Sequence, residues 1–398
     1  MGSSVDIGII GAGPIGGYIA ANLADYVDTV ALFEQHKEIG KPMNCAGLVT
    51  PRVFELFSIP TKDIVQNEIA GANIHSPFGN TLTIGGDKTH AFSIDRTAFD
   101  RYFISQAENK NATLYLNEKI ISAQAQYKNI EIQTSKNHTV DCSCLIGADG
   151  PYSKIRDVFG FPQPKEFLRG MGAIVSNINL NPNFVEVFVG NDIAPGFFAW
   201  MIPINKDGTK ARIGLCVTKD KQVSPVVYFN KLFKAQLTAS FLKDVKIEQK
   251  SGGIIPLGPL NQTVIDNVLL VGDSAAQVKP TSGGGIYPGL ISAKNCVSTI
   301  KEAYKNQSYL SHDLQPYHDS WKKEIGKELS LGMQFRKLYS KMTDKQFDKY
   351  IKKLSQESIV KIISEHGDID HPSKLIKPLI KKAPSLLTLI PQLIRKKE

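Results

Sequence analysis

Three glycines near the start of the chain carry the first recognisable chemistry. In VDIGIIGAGPIGGYIAANLA an apolar run leads into Gly11, Gly13 and Gly16, and a helix-like stretch from Tyr18 to Ala24 follows. Gly11 permits a tight turn, Gly13 lets the backbone approach a pyrophosphate, and Gly16 lets helix and strand close together. The helix N-terminus then receives the negative charge. A second apolar stretch, TVALFE, ends in Glu34, eighteen positions beyond Gly16. A carboxylate there accepts from both ribose hydroxyls and repels a 2′-phosphate, so NADP is not the dinucleotide expected in this fold. The choice between NAD and FAD rests on a later stretch, NVLLVGDSAAQVKPTSGGGIYPGLISAKNC. There an apolar strand delivers Gly272 and Asp273, and Gly283, Gly284 and Gly285 lead into a helix at Ile286. Asp273 can hydrogen-bond ribityl or pyrophosphate-side groups, and a glycine-rich helix start can stabilise the negative edge of a reduced flavin. A simple NAD dehydrogenase has no need of this element, which makes FAD the expected cofactor.

Between these two stretches lies LIGADGPYSKIRDVFG, a strand ending in Asp149 and Gly150 with Ser153 and Arg156 on the turns that follow. Taken together, Gly11-x-Gly13-x-x-Gly16, Asp149-Gly150-x-x-Ser153-x-x-Arg156 and Gly272-Asp273 resemble the three fingerprints of the FAD-binding fold of p-hydroxybenzoate hydroxylase type. That fold is shared by single-component flavin monooxygenases, flavin halogenases and geranylgeranyl reductases. SIDRTAFDRYF is similar to the fold's Asp-Arg element, which implies that Arg96 lies near the flavin.

Two stretches bear on which chemistry the fold performs. GKPMNCAGLVTP contains Cys45-Ala46-Gly47, similar to the Cys-Ala-Gly or Cys-Gly element of geranylgeranyl reductases. PGFFAWMIP resembles their Pro-x-x-Tyr-x-Trp-x-Phe-Pro motif, keeping Pro195, Trp200 and Pro203 but placing Phe198 and Ile202 where the family has Tyr and Phe. Halogenases carry Trp-x-Trp-x-Ile-Pro, which the chain meets at Trp200, Ile202 and Pro203 and misses at Phe198. With Cys45 and TSGGGIYPG added, the chain is identified as a member of the geranylgeranyl reductase family, most like the archaeal digeranylgeranylglycerophospholipid reductases. The implied reaction saturates isoprenoid double bonds of membrane ether lipids or related polyprenyl groups. Hydride passes from reduced flavin to one alkene carbon and a proton to the other, and Cys45 is a candidate proton donor or modulator of the flavin. On this reading Phe197, Phe198, Trp200, Met201 and Ile202 include one wall of a channel for a long apolar chain, with Pro203 closing the segment. The alternatives are a monooxygenase acting on an apolar substrate and a flavin-containing lipid-binding protein without turnover.

The elements that must position these residues follow from patterning. The resemblance implies an α/β (α+β) architecture in which a Rossmann-like FAD-binding domain, residues 1–60, 89–160 and 251–303, is interleaved with an antiparallel-sheet substrate domain, 61–88 and 161–250. In the latter, GANIHSPFGNTLTIGG, NFVEVFVGN and ARIGLCVT alternate like strands. Residues 304–398 lose that pattern and become a lysine-rich helical region broken by Pro372, Pro378, Pro384 and Pro391. Hydrophobic content of 42% and charged content of 21% describe an ordinary folded chain. The five cysteines lack paired CxxC spacing and the histidines lack ligand spacing, so no metal site is expected. No stretch reaches the ~18 apolar residues of a membrane span, and a cytoplasmic protein is expected. The net charge is +9, and from Lys374 onward Lys377, Lys381, Lys382, Arg395, Lys396 and Lys397 are interspersed with leucines and isoleucines. Such a tail suits an anionic membrane surface, giving peripheral association at the inner face of the membrane, or else packs on its own protein. Nucleic acid is not expected, because no recognition motif accompanies the charge. The expected partners are a long-chain isoprenoid lipid and an external electron donor, ferredoxin or NADPH.

Overall fold

The computed structural model describes residues 3–218 and 223–382. The chain divides into two units, each assembled from three separated segments. The first comprises Met1–Met43, Arg96–Lys165 and Ile255–Ser330, the second Asn44–Asp95, Glu166–Ile254 and Leu331–Glu398.

In the first unit, residues 7–10, 30–33 and 268–270 are continuous buried runs. Such runs suit strands covered on both faces, and these strands do pair in parallel. Ser3–Ile10 lies between Val30–Glu34 and Thr139–Gly147, and Val268–Leu270 adds beyond Thr139–Gly147. Thr113–Leu116 extends the other side in parallel, while the hairpin of Ile120–Ala125 and Ile130–Thr134 adds antiparallel to Thr139–Gly147. The register aligns Ile10 with both Phe33 and Gly147, and Gly147 with Leu270. Four chain segments therefore emerge together at the carboxyl ends of their strands, where open α/β sheets hold ligands. The helix Pro14–Leu23 packs against Arg96–Glu108 and Ile286–Lys305. Its Gly17 makes the first contact close, because a Cβ there would stand 3.0 Å from Phe103 and Ile104.

The second unit is built on a seven-stranded sheet, ordered Lys246–Leu257, Glu166–Ser176, Lys210–Thr218, Phe198–Pro203, Phe184–Val189, Gly71–His75 and Thr81–Gly85. From Glu166–Ser176 to Thr81–Gly85 the pairing is antiparallel except where Phe184–Val189 runs parallel to Gly71–His75. A smaller sheet joins Leu48–Val49, Ala91–Ile94 and Val65–Ile69. This pairing draws 44–60 and 89–95, read from sequence with the FAD-binding segments, into the second unit. Helices Asp344–Leu354 and Glu357–His366 pack on Thr81–Gly85 and cover that sheet edge. Among the described residues no helix is long and apolar enough to cross a membrane. Lys374, Lys377, Lys381 and Lys382 fall within the described residues, and all four are exposed. Arg395, Lys396 and Lys397, with the tail residues from 383 onward, lie outside them.

Candidate functional site

The first unit gathers the glycine motifs at one end of its parallel sheet. Gly11 has φ +101°, and a Cβ there would lie 2.4 Å from the Ala148 carbonyl oxygen. A Cβ on Gly16 would likewise drive into the Gly11 carbonyl. Gly13 has open space within 4 Å of an added Cβ, the surroundings required where a pyrophosphate approaches backbone. Glu34 is already oriented beside this turn, its Oε2 accepting from Ala12 N at 3.0 Å and its Oε1 from His36 N at 2.9 Å. The His36 ring nitrogen Nδ1 lies 2.6 Å from the same Oε1.

Asp149 and Ser153 are hydrogen-bonded within their own turn. The Asp149 carboxylate accepts from Ser153 Oγ at 2.6 Å and from Ile155 N at 3.1 Å, while burial pushes its carboxyl pKa upward. Ser153 caps the short helix Lys154–Val158 by accepting from Arg156 N. The buried Arg156 guanidinium donates to Ser274 O at 3.3 Å and Pro151 O at 3.0 Å, tying the second motif to the third.

The Gly272-Asp273 turn is shaped from beneath. Gly272, at φ +76°, donates its N–H to Gln277 Oε1 at 2.7 Å. Gln277 Nε2 donates to the Tyr317 hydroxyl, which donates to Leu270 O at 2.6 Å. Asp273 stands against the glycine-rich helix start, its Oδ1 2.7 Å from where a Gly285 Cβ would be. Loss of hydration on burial pushes its carboxyl up to about 6, with the Arg96 charge opposing the shift. Arg96 forms a bidentate pair with Asp100 at 3.0 Å and so carries its charge in a fixed orientation. Gly283 turns back through a Gly283 N–H to Lys279 O bond of 2.8 Å, and Gly284 O accepts from Lys279 N at 3.1 Å. No side chain caps the helix Ile286–Lys305 at Gly285, which suits a helix start facing a flavin edge. Glycine turn, oriented ribose carboxylate, Asp273 and helix start together fit FAD.

The second unit holds the remaining residues. Alternation along Phe198–Pro203 places Phe198, Trp200 and Ile202 on one sheet face. Trp200 lies directly across from Gly214, and a Cβ on Gly214 would stand 2.6 Å from the indole, so only glycine leaves room for the ring. Phe198 meets Trp200 edge-on at 6.1 Å. Trp200 and Ala46 pack against the cluster of Ile69, Ala91, Val185 and Ile202. The Cys45-Ala46-Gly47 turn therefore belongs to the Trp200 face. Cys45 is half-buried, and its sulfur accepts from Gly47 N at 3.3 Å.

Met201 corrects the expected channel wall. The two-residue period turns it to the opposite face, where it is 1% exposed among Ala173, Val175, Phe188 and Leu215. Phe197 precedes the strand and is also buried, stacked on Phe198 at 4.2 Å beneath the Arg336 guanidinium. Ile202 and Pro203 are buried within the protein, leaving Phe198 and Trp200 half-exposed.

Arg212 is a buried charge beside these residues that sequence reading missed. It is 4% exposed and sits on the Trp200 face, across from Ile202. Its guanidinium donates to Ala46 O at 3.4 Å, Ser93 Oγ at 3.3 Å, Gln66 Oε1 at 2.8 Å and Ile94 O at 2.9 Å. A Cβ on Gly47, at φ +67°, would meet its Nη1 at 2.6 Å, which explains the glycine after Cys45-Ala46. The signal was present as the one charge inside the apolar alternation of ARIGLCVT.

Residues 4–320 match the family described as the FAD binding domain. An uncharacterized protein of Methanocaldococcus jannaschii is 31% identical over 94% of this chain and 95% of its own. The digeranylgeranylglycerophospholipid reductase of the same organism is 29% identical over 98% of each chain. Among solved structures, a geranylgeranyl bacteriochlorophyll reductase-like protein of Thermoplasma acidophilum shares the fold with a TM-score of 0.87 at 19% identity, covering 99% of this chain and 100% of its own.

Proposed function

The chain belongs to the FAD-binding family and, within it, to the geranylgeranyl reductases, and on that premise we propose that it saturates carbon–carbon double bonds of geranylgeranyl chains in isoprenoid ether phospholipids or related polyprenyl lipids. The observation that carries this reading is the Cys45-Ala46-Gly47 turn held by Arg212 on the apolar face that presents Trp200. A polyprenyl chain offers few polar handles, so selection falls to shape and apolar area, which Phe198 and Trp200 supply.

FAD, when bound and reduced, supplies the hydride. The glycine turn at Gly11, Gly13 and Gly16 receives its pyrophosphate, Glu34 its ribose hydroxyls, and Asp273 with the helix start at Gly285 the flavin side. Cys45 acts close to the reacting carbons, as proton donor or as a modulator of flavin reactivity. Electrons arrive from an external donor, ferredoxin or NADPH, and the substrate's chemistry brings the protein to a membrane surface.

A single turnover without oxygen tests the reading. The bound flavin is reduced chemically, a geranylgeranylated phospholipid is added, and flavin reoxidation is followed together with lipid mass. The expected result is reoxidation matched by saturation of the added lipid's double bonds. Flavin that stays reduced until oxygen enters, with a product that then gains oxygen, would instead establish a monooxygenase.

A further inference from the structure

The helix Asp344–Leu354 opens with a capping box between Thr343 and Gln346 and carries two acids and four lysines. Both acids are engaged with neighbouring segments of the second unit. Asp344 Oδ1 accepts from Asn191 N at 2.8 Å and Asn191 Nδ2 at 3.0 Å. Asp348 Oδ1 accepts from Ser76 Oγ and from Asn80 Nδ2 at 2.8 Å. Those two donors flank the tip of the hairpin joining Gly71–His75 to Thr81–Gly85, so Asp348 clamps the tip's base against the helix. Beyond the clamp Phe78 projects, 63% exposed, beside Gly79, which has open space around it.

Lys345 and Lys352 lie three residues before and four after Asp348, and Lys349 lies next to it; all three are exposed. That spacing puts Lys345 and Lys352 on the helical stripe of the clamp, one turn to either side. The three lysines thus lie on the helix that fastens the base of this tip, and the tip carries the exposed ring of Phe78. Across residues 331–382 twelve lysines and arginines face six acids. Four of those acids are engaged by neighbouring segments: Asp344 and Asp348 as above, Asp368 by Arg52 and Lys374, and Asp370 by Thr50 and Arg52. Of those cations Arg336 is buried against Glu166 and Lys374 pairs with Asp368, whereas Lys345, Lys349 and Lys352 stand exposed on the clamping helix.

We propose that the Phe78 tip and the Lys345, Lys349 and Lys352 face of the adjoining helix form a docking surface for an anionic lipid bilayer. The aromatic ring enters the interface while the three ammonium groups meet lipid phosphates. An acidic protein partner would use the lysines but has no use for an apolar tip fastened to the same helix. The proposal rests on the reading of the enzyme as a lipid reductase, because it supplies the contact through which a membrane-resident substrate is reached. It is distinct from the basic tail and requires no residue beyond 382.

The experiment uses the full-length FAD-bound protein and measures partition onto phosphatidylglycerol and phosphatidylcholine vesicles. Wild type is expected to bind phosphatidylglycerol and to be released by salt. The triple variant Lys345→Gln/Lys349→Gln/Lys352→Gln is expected to lose binding by on the order of 100-fold, with its flavin spectrum and Tm retained. Phe78→Trp, placed in a Trp200→Phe/Trp321→Phe background that keeps its flavin, is expected to shift its emission to the blue on phosphatidylglycerol vesicles. Unchanged binding of the triple variant, or water-like emission from Phe78→Trp on the vesicle, would overturn the proposal. So would a triple variant that binds vesicles normally but accepts electrons more slowly from an acidic carrier protein. Turnover of detergent-dispersed lipid separates the two readings. Wild type inactive on dispersed lipid sinks the reductase assignment, whereas a triple variant fully active there but lost from vesicles supports docking.

Discussion

Cys45 is tested by the smallest available change. In Cys45→Ser the side chain remains a hydrogen-bond acceptor for Gly47 N, so the turn and the FAD content should be preserved. If the thiol delivers the proton, saturation should slow by on the order of 100-fold; an unchanged single-turnover rate removes Cys45 from the mechanism. Asp273 offers a second test, readable through stability. Its carboxyl is raised to about 6 in the folded protein by loss of hydration on burial, against an ordinary 3.8. A raised carboxyl favours folding fully only below its unfolded pKa, and that contribution disappears as pH rises through about 6. FAD-free protein should therefore lose up to about 3 kcal/mol of first-unit stability between roughly pH 4 and pH 7. Asp273→Asn should flatten that slope in urea titrations and also weaken FAD binding by about tenfold.

At the scale of elements, Arg212 joins strand Lys210–Thr218 to the turn that carries Cys45 and to strand Ala91–Ile94. Arg212→Met keeps much of the volume and removes the donors to Ala46 O, Ile94 O and Gln66. Each buried acceptor so abandoned costs about 1–3 kcal/mol. The variant is expected to keep its flavin, fall by about 3 kcal/mol in denaturant unfolding, and turn over more slowly, with Arg212→Lys intermediate in rate. The same residue shows where sequence reading stops. Gly11 and the Gly272-Asp273 pair were legible because each ends an apolar run, and both the run and the glycine are local signals. The two-residue period of Phe198–Pro203 is likewise a local signal, and it fixes the sheet face of Trp200. That Cys45-Ala46-Gly47 joins that face depends on Leu48–Val49 pairing with Ala91–Ile94, more than forty positions away in sequence. Nothing local to either segment announces that pairing. Arg212 was visible only as an interruption, since a buried guanidinium is recognised by acceptors drawn from three other segments.

At the scale of the whole molecule, the two units carry carboxylates shifted in opposite directions. Asp273 of the first unit is raised, while Asp368 of the second is held well below the usual carboxylate range. Burial alone would push Asp368 up, but Arg52, Lys374 and the His371 N–H hold it down. Arg52 pairs with Asp368 at 2.9 Å, and Asp370 accepts from Thr50 Oγ1 at 2.6 Å, so these acids fasten the C-terminal helices to the helix Pro51–Leu56. A depressed carboxyl contributes stability above its unfolded pKa of about 4, and that contribution is lost as pH falls toward its folded pKa. Acid should therefore relieve the first unit at Asp273 and loosen the second at Asp368. The chain's two tryptophans make the contrast measurable, because Trp321 lies in the first unit and Trp200 in the second. With Trp321→Phe reporting the second unit and Trp200→Phe the first, acid titration of FAD-free protein should move the Trp200 signal at a higher pH than the Trp321 signal. Asp368→Asn should destabilise the second unit by about 2 kcal/mol at pH 7 and move its transition to higher pH, further from that of the first unit, because the fastening is then absent at every pH. Coincident transitions in the parent protein, unaffected by Asp368→Asn, would mean that this fastening does not set the acid limit of the second unit.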